Sequence, residues 1–267
     1  MNETFSVDVS NFIASISLKK RVMDPQFFHD CAELTAAIGQ RDDIRVAILQ
    51  SDEKAFCYGL DLQKAFKEHG QLFMGGGLAG PRTELLMLIR RWQDAMTGFA
   101  ELPFPVIAAV HSWCIGGGLD LISACDIRLA TRDVKISLRE ARIGIVADLG
   151  SLQRLPNIIG GGLTRELAFT AADISGERAL NIGLVNHLFD TKEELHQGAM
   201  SMAQEIAANP PLTLRGVKDV LLRSEDAELN RGLNYVAAWN AAFLASEDLA
   251  EAVSAHMAKR TPNYKGK

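Results

Sequence analysis

The sequence predicts an α/β fold. Strand-like and helix-like segments alternate through the first two-thirds of the chain, and beyond about residue 163 the pattern is mostly helical. A run of three glycines, Gly116-Gly117-Gly118, joins a buried-looking strand to a helix. The composition agrees. Of 267 residues, 48% are hydrophobic and 23% charged, a globular balance that excludes disorder, collagen-like repeats and coiled-coil arrays. A chain this long can bury a real core, as one large domain or as a domain with an extension.

Residues 4–18 read as two short strands. Phe5, Val7 and Val9 alternate, then Phe12, Ile13, Ile16 and Leu18 follow Ser10-Asn11. Asp24-Pro25 opens a helix, with an N-cap carboxylate before a proline at the first helical position, and the helix runs to about Ile38-Gly39. Residues 44–49 form a buried-looking strand. Residues 66–81, with Gly75, Gly76, Gly77, Gly80 and Pro81, read as a mobile surface loop before a long helix from 82 to about 101. Pro103 and Pro105 end that helix, and Val106–Val110 is a strand. The glycine turn then opens a further helix, and residues 125–130 return as a strand. Asn209-Pro210-Pro211 breaks the helical third, and a long amphipathic segment covers about 226–257.

Lys plus Arg is 28 and Asp plus Glu is 33, for a formal net charge of −5. The basic excess of a nucleic-acid binder is missing, so no nucleic-acid partner is expected. Cys31, Cys57, Cys114 and Cys125 form no CxxC pair, which argues against structural zinc and a disulfide framework and for reduced thiols. The N-terminus lacks a basic start followed by an apolar run, and the YKGK ending is not a peroxisomal address. A cytoplasmic location is therefore expected. No apolar stretch approaches about 18 residues, so no membrane span is expected.

The glycine turn needs a reason, because each glycine inside a helix costs about 1 kcal/mol relative to alanine. It wants close backbone approach, or dihedrals that side chains forbid. Unpaired N–H groups at a helix N-terminus can hold an anion, or a carbonyl oxygen that becomes one. Tight helix–strand packing without a ligand and a dinucleotide site are the competing readings. The spacing is not GxGxxG, and no Gly-Lys-Ser/Thr follows. A second turn, Ala55-Phe56-Cys57-Tyr58-Gly59-Leu60-Asp61-Leu62, follows the 44–49 strand. It is either a simple β-to-α connection or a second source of a free N–H.

At these two turns the sequence resembles the crotonase, or enoyl-CoA hydratase/isomerase, superfamily. The matching words are residues 55–62, Pro105-Val106-Ile107-Ala108-Ala109-Val110-His111, and Cys114-Ile115-Gly116-Gly117-Gly118. Ala124-Cys125-Asp126-Ile127-Arg128, Gln153-Arg154-Leu155-Pro156 with Ile159-Gly160, and the ending from Ser246-Glu247-Asp248 to Lys259-Arg260 continue the match over nearly the whole chain. The resemblance implies a spiral of ββα units as core, residues 1–200. It also implies a C-terminal helical trimerisation region, residues 201–267, giving a homo-trimer or a hexamer built as a dimer of trimers. It implies an acyl-CoA thioester substrate from fatty acid β-oxidation, with the carbonyl held by the backbone N–H groups of Leu60 and Gly117. Ala55, Phe56, Tyr58, Asp61 and Gly116 are the expected substrate contacts. No metal and no cofactor are implied, since coenzyme A is part of the substrate.

Three carboxylates then decide the reaction. Hydratases of the superfamily hold a water between two glutamates. The first of those positions is Asp120 here, and the second is Glu140. Where hydratases have a small glycine-rich turn, this chain has Ala147-Asp148-Leu149-Gly150. The trio Asp120, Glu140 and Asp148 resembles the dienoyl-CoA isomerase branch, as does the segment Leu233-Asn234-Tyr235-Val236-Ala237-Ala238-Trp239-Asn240. Moving a 3,5-diene to 2,4 takes a proton from C2 and adds one at C6, which suits two carboxyl groups. The resemblance implies Glu140 at C2 and Asp148 at C6, the latter with a pKa raised by burial among Ile143, Ile145, Val146 and Leu149. Asp120, near a helix N-terminus, is expected to be ionised and to orient the site.

Taken singly, these acids also read as surface, capping or turn residues. His111 ends a strand where the superfamily has a histidine with no proton-transfer role, and Cys114 has no evident base. Lys259 and Arg260 suit either coenzyme A phosphates or a solvated helix. Two other functions remain open: a 2-enoyl-CoA hydratase using Asp120 and Glu140, and a non-catalytic acyl-CoA- or RNA-binding relative. The intact carboxylates and the acidic balance weigh against the last.

Overall fold

The computed structural model describes residues 3–75 and 78–266, with backbone alone at 225–228. Met1, Asn2, Gly76, Gly77 and Lys267 lie outside the described residues. Strands β1 (Phe5–Ser10) and β2 (Ile13–Leu18) form the expected hairpin, with Ser10 opposite Ile13. Asn11 and Phe12 both take positive φ, 51° and 66°, the turn geometry that matches strand twist. Helix α1 (Pro25–Ile38) starts as its sequence predicts, with the Asp24 carboxylate accepting from Phe27 N–H at 3.0 Å.

Strand β3 (Val46–Ser51) pairs parallel with β2. After it come α2 (Leu62–Met74) and α3 (Ala79–Ala100). The expected loop over 66–81 is therefore helical up to residue 74. Asp61 caps α2 by accepting from Lys64 N–H at 3.0 Å, and Phe66 and Phe73 meet edge to face at 5.3 Å. This apolar stripe outweighs the helix-weakening Gly70. Gly80 and Pro81 fall in the first turn of α3, where proline is tolerated.

Next follow β4 (Val106–Val110), β5 (Trp113–Ile115), α4 (Gly117–Ser123), β6 (Ile127–Thr131) and β7 (Lys135–Ser137). A 3-10 turn at Glu140–Ile143 leads to α5 (Ser151–Ile159) and α6 (Gly161–Thr170). Two three-residue strands interrupt the helical third: β8 (Asp173–Ser175), followed by α7 (Gly176–Asn181), and β9 (His187–Phe189). Strands this short carry no readable alternation. Helix α8 (Lys192–Ala207) straddles residue 200, and α9 (Pro211–Phe243) and α10 (Glu247–Met257) close the chain. The expected segment from Asp226 thus begins inside α9.

The larger sheet has the order β1-β2-β3-β4-β6-β9 and is parallel from β2 onward; the smaller has the order β5-β7-β8. Both faces of the larger sheet are covered. Ala47, Leu49, Ala108 and Val110 face the main core with α1 and α3. Val46, Ile48, Ile107 and Ala109 face α8, which presents Leu195, Ala199, Ala203 and Ala207 at four-residue spacing. The small alanines let α8 lie close to the strands. Among the described residues no helix is long and apolar enough to cross a membrane.

Helix α9 is pinned to this framework by an ion pair whose lysine is buried and whose aspartate is exposed. Lys218 Nζ donates to Asp126 Oδ2 at 2.8 Å and to the Phe104 carbonyl at 3.0 Å, and Asp126 Oδ2 also accepts from Val106 N–H at 2.7 Å. Lys218→Met is expected to lower stability by about 1–3 kcal/mol in urea unfolding, because Asp126 and the Phe104 carbonyl lose their charged donor.

Candidate active site

The site begins where the two strand-to-helix turns meet. Cys57 and Cys114 form a parallel bridge: Cys57 N–H donates to Trp113 O at 2.9 Å, and Ile115 N–H to Cys57 O at 3.0 Å. Met23 ties the other side of the first turn, giving its N–H to Gly59 O at 2.9 Å and accepting from Asp61 N–H at 2.8 Å. Two glycines are required here. Gly59 has φ +81°, and a Cβ on it would stand 2.8 Å from the Ile115 carbonyl oxygen. Gly116 has φ +52°, and a Cβ on it would stand 3.0 Å from Glu140 Oε1. Gly118 fits the packing reading, against Cys57 and Cys114.

The turns bring Leu60 and Gly117 to the same wall of a cavity of about 640 Å³. Neither backbone N–H donates to a backbone acceptor among the described residues. Gly117 opens α4, so its N–H is also one of the four that a helix leaves unpaired. Tyr58, Asp61 and Gly116 line the cavity as expected from sequence. Ala55 and Phe56 do not; both are fully buried behind the turn, Phe56 N–H bonding the His111 carbonyl at 3.1 Å. Their place is structural support for the residues that face the cavity.

Asp120, Glu140 and Asp148 all line this cavity. Glu140 and Asp148 keep part of their surface on the cavity, while their carboxyl groups lie deep. Asp120, in the first turn of α4, is buried and accepts from Ser151 N–H at 2.6 Å, at the start of α5. Burial pushes its pKa up to about 6, opposed by the Ser151 bonds and by Arg154. Burial thus works against the ionisation that a helix N-terminus alone would favour. Burial, and next the Asp120 charge, push Glu140 up to about 8, and its Oε2 has no hydrogen-bond partner. Burial raises Asp148 to about 7, against a hydrogen bond from Asn240 that lowers it. Ile143, Ile145 and Leu149 line the cavity with Asp148, whereas Val146 turns outward at 38% exposure.

Two residues of the site escape single-residue reading. Asn240 Nδ2 donates to Asp148 Oδ2 at 2.7 Å, and Gln93 Nε2 donates to the Asp148 carbonyl at 2.7 Å. Asn240 lies in the distinctive 233–240 segment, which was the available signal; Gln93 sits in α3 with no motif around it. Much of the remaining cavity lining is apolar, with Phe66, Phe73, Leu88 and Ile89 beside the stacked pair Phe28 and Trp92, 4.3 Å apart, while Arg139, Arg142, His256 and Arg260 also line it.

The other nucleophile and base candidates stand apart from this chemistry. His111 lies 3.0 Å from the Glu53 carbonyl, does not line the cavity, and is held below its usual pKa by burial. Burial pushes the Cys114 thiol well above its usual value, so it is not a thiolate. Arg260 lines the cavity mouth but is paired with Glu251 at 2.5 Å, and Lys259 does not line it. Among the described residues no group of three or more His, Cys, Asp and Glu side chains could hold a metal ion.

Gly59→Ala is expected to destabilise the fold by about 1–3 kcal/mol in chemical unfolding, since alanine is strained at this φ and its methyl meets a carbonyl. Through Asp120, Glu140 and Asp148 the folded chain binds protons that the unfolded chain gives up between about pH 4 and pH 8. The contribution of these three groups to stability therefore falls as pH rises through that window. Glu140→Gln is expected to raise Tm at about pH 8 and to change it little near pH 4, by about 2–4 °C for each kcal/mol relieved.

The enoyl-CoA hydratase/isomerase family matches residues 8–267. A peroxisomal Δ(3,5)-Δ(2,4)-dienoyl-CoA isomerase of Arabidopsis thaliana is 43% identical, over 89% of this chain and 86% of that one. A mitochondrial Δ(3,5)-Δ(2,4)-dienoyl-CoA isomerase of Dictyostelium discoideum is 37% identical, over 96% of this chain and 88% of that one. The crystal structure of an enoyl-CoA hydratase from Mycobacterium avium subsp. paratuberculosis K-10 superposes with TM-score 0.83. It covers 98% of both chains at 18% identity, a likeness of fold. The names of the first two relatives overturn the expected cytoplasmic location: they are peroxisomal and mitochondrial proteins, and reduced cysteines do not discriminate such compartments. The chain belongs to the enoyl-CoA hydratase/isomerase family.

Proposed function

We propose that the protein is an isomerase that converts 3,5-dienoyl-CoA to 2,4-dienoyl-CoA, as a step in fatty acid β-oxidation. One observation carries the reading: Glu140 and Asp148, two carboxyls of raised pKa, share one cavity with the free N–H groups of Leu60 and Gly117. The names of the Arabidopsis and Dictyostelium relatives support it.

The thioester oxygen accepts from Leu60 and Gly117, and ionised Glu140 takes the C2 proton. The electron pair of the broken C–H bond moves onto the thioester oxygen and spreads along the conjugated chain as a dienolate. The two N–H donors stabilise that charge; one such donor is worth roughly 3 kcal/mol in comparable sites. Protonated Asp148 then delivers to C6, and the double bonds settle at C2–C3 and C4–C5. Glu140 ends with a proton and Asp148 without the one it began with. Burial raises both carboxyls, which suits a pair that holds one proton between them. Asp120, held by Ser151 N–H, serves as a fixed negative charge that keeps both partners basic. Proton transfer between carboxyls requires no cofactor, coenzyme A being part of the substrate.

Residues 201–267 act as a helical brace for the 1–200 core. A homo-trimer or hexamer is the assembly that fits this reading. Exposed Tyr235, Trp239 and Phe243 on α9, with ring centroids 6.2 Å and 4.7 Å apart in sequence order, support a covered face there.

Asp148→Asn is expected to slow the growth of the 2,4-dienoyl chromophore by roughly 10²–10⁴-fold, the usual contribution of a general acid. In D₂O the wild-type product should carry deuterium at C6. Two results would sink the proposal. One is full activity in an Asp148→Asn, Glu140→Gln double variant, which points to a non-catalytic or differently built site. The other is fast hydration of a short 2-enoyl-CoA with no diene shift, which points to a hydratase.

A further inference from the structure

Asp148 is gripped from two sides by buried amides. Asn240, 2% exposed, reaches from α9 and donates through Nδ2 to Asp148 Oδ2 at 2.7 Å and to the Val146 carbonyl at 2.8 Å. Gln93, 4% exposed, reaches from α3 and donates through Nε2 to the Asp148 carbonyl at 2.7 Å and to the Leu233 carbonyl at 3.0 Å. Residues 233 and 240 are seven apart on one helix, so both anchor points lie on the same face of α9.

The chemistry of the Asn240 contact is directional. A side-chain amide offers two hydrogens on nitrogen and only lone pairs on oxygen. The Val146 carbonyl can only accept, so it fixes the nitrogen of Asn240 on the side facing this turn. That nitrogen is also the atom against Asp148, and its second hydrogen points to Oδ2. An oxygen held as acceptor in this way is the poorer place for the acid's own hydrogen.

We propose that Asn240 is a positioning residue for the proton donor: by donating to Oδ2 it confines the transferable proton of Asp148 to Oδ1. The proposal rests on the reading of Asp148 as the acid at C6. A carboxylic acid has two places for its hydrogen, and only one can point at the reacting carbon. Asn240 removes the second choice, while Gln93 holds the main chain of the same residue without touching the carboxyl. Among the described residues, the charged groups with a named interaction around Asp148 are the carboxylates of Asp120 and Glu140, with the Arg154 guanidinium on the Leu149 carbonyl, and α9 and α3 contribute the neutral amides of Asn240 and Gln93.

The test compares Asn240→Leu, close in size and without donors, with Gln93→Leu. Formation of the 2,4-dienoyl chromophore is followed as kcat, KM and the pH profile of kcat/KM. Asn240→Leu should lower kcat by roughly 10- to 100-fold, part of what a general acid contributes, with KM nearly unchanged. The centre of the bell-shaped profile should move to higher pH, because the group that holds the acid's pKa down is gone and the two macroscopic pKa values sum to a larger total. Gln93→Leu should lower kcat and leave the bell in place. Asn240→Ser, too short to reach, gives the same readout if the leucine variant does not fold. Unchanged kcat in the Asn240 variants, or a fall in kcat with the bell unmoved, overturns the proposal. Asp148→Asn distinguishes the two levels: if it keeps full activity, the assignment of Asp148 as acid fails, and this inference fails with it. If it is inactive while the Asn240 variants behave as wild type, only this inference fails.

Discussion

The backbone stitch between Cys57 and Cys114 is the constraint on which the site depends. It lays the end of one strand-to-helix turn against the start of another, so that Leu60 and Gly117 come to one wall although they are far apart in sequence. Hydrogen bonds made by Cys57 and Ile115 consume the neighbouring donors and leave those two free. The thiols themselves do nothing chemical here. Their small, fully buried side chains fill the space under α4, and that burial keeps them protonated.

The second constraint is electrostatic. Three acids facing one cavity cannot all ionise without strong mutual repulsion, and a largely apolar wall gives little solvation. The chain answers unevenly. Asp120 receives the Ser151 N–H, which favours its anion; Glu140 receives no partner on Oε2; Asp148 receives one side-chain amide. Chemically similar groups thus acquire different proton affinities from their surroundings. This is a destabilising arrangement, and the buried aromatic and aliphatic packing elsewhere offsets it.

Much of this was legible in the sequence. The hairpin at 5–18, the Asp24-Pro25 helix start and the strand at 106–110 follow from local pattern and cap chemistry, and they stand where expected. The glycine run marked the site because it removes side chains where two backbones must meet, whereas Asp120, Glu140 and Asp148 were marked by the family resemblance, since taken singly they also read as surface, capping or turn residues. Residues 66–74 misled, since glycines nearby suggested a loop while an Asp61 cap and a Phe66–Phe73 contact make a helix. Gln93 was invisible: its role is set by two carbonyls distant in the chain, Asp148 and Leu233, and nothing local announces them. Ala55 and Phe56 sat in the right motif but behind the wall, where both are fully buried and the Phe56 N–H is tied to the His111 carbonyl.

Helix α9 meets the sheet at Lys218 and the acid's carboxyl at Asn240. The two contacts are 22 residues apart, a rod of roughly 33 Å at 1.5 Å per residue. A rigid element fastened at both ends behaves as a ruler. Exchanging its outward residues leaves the gauge intact, whereas one residue inserted or deleted between the fastenings swings the far amide by about 100° around the axis. The length of this stretch, more than its composition, is therefore what evolution is least free to alter.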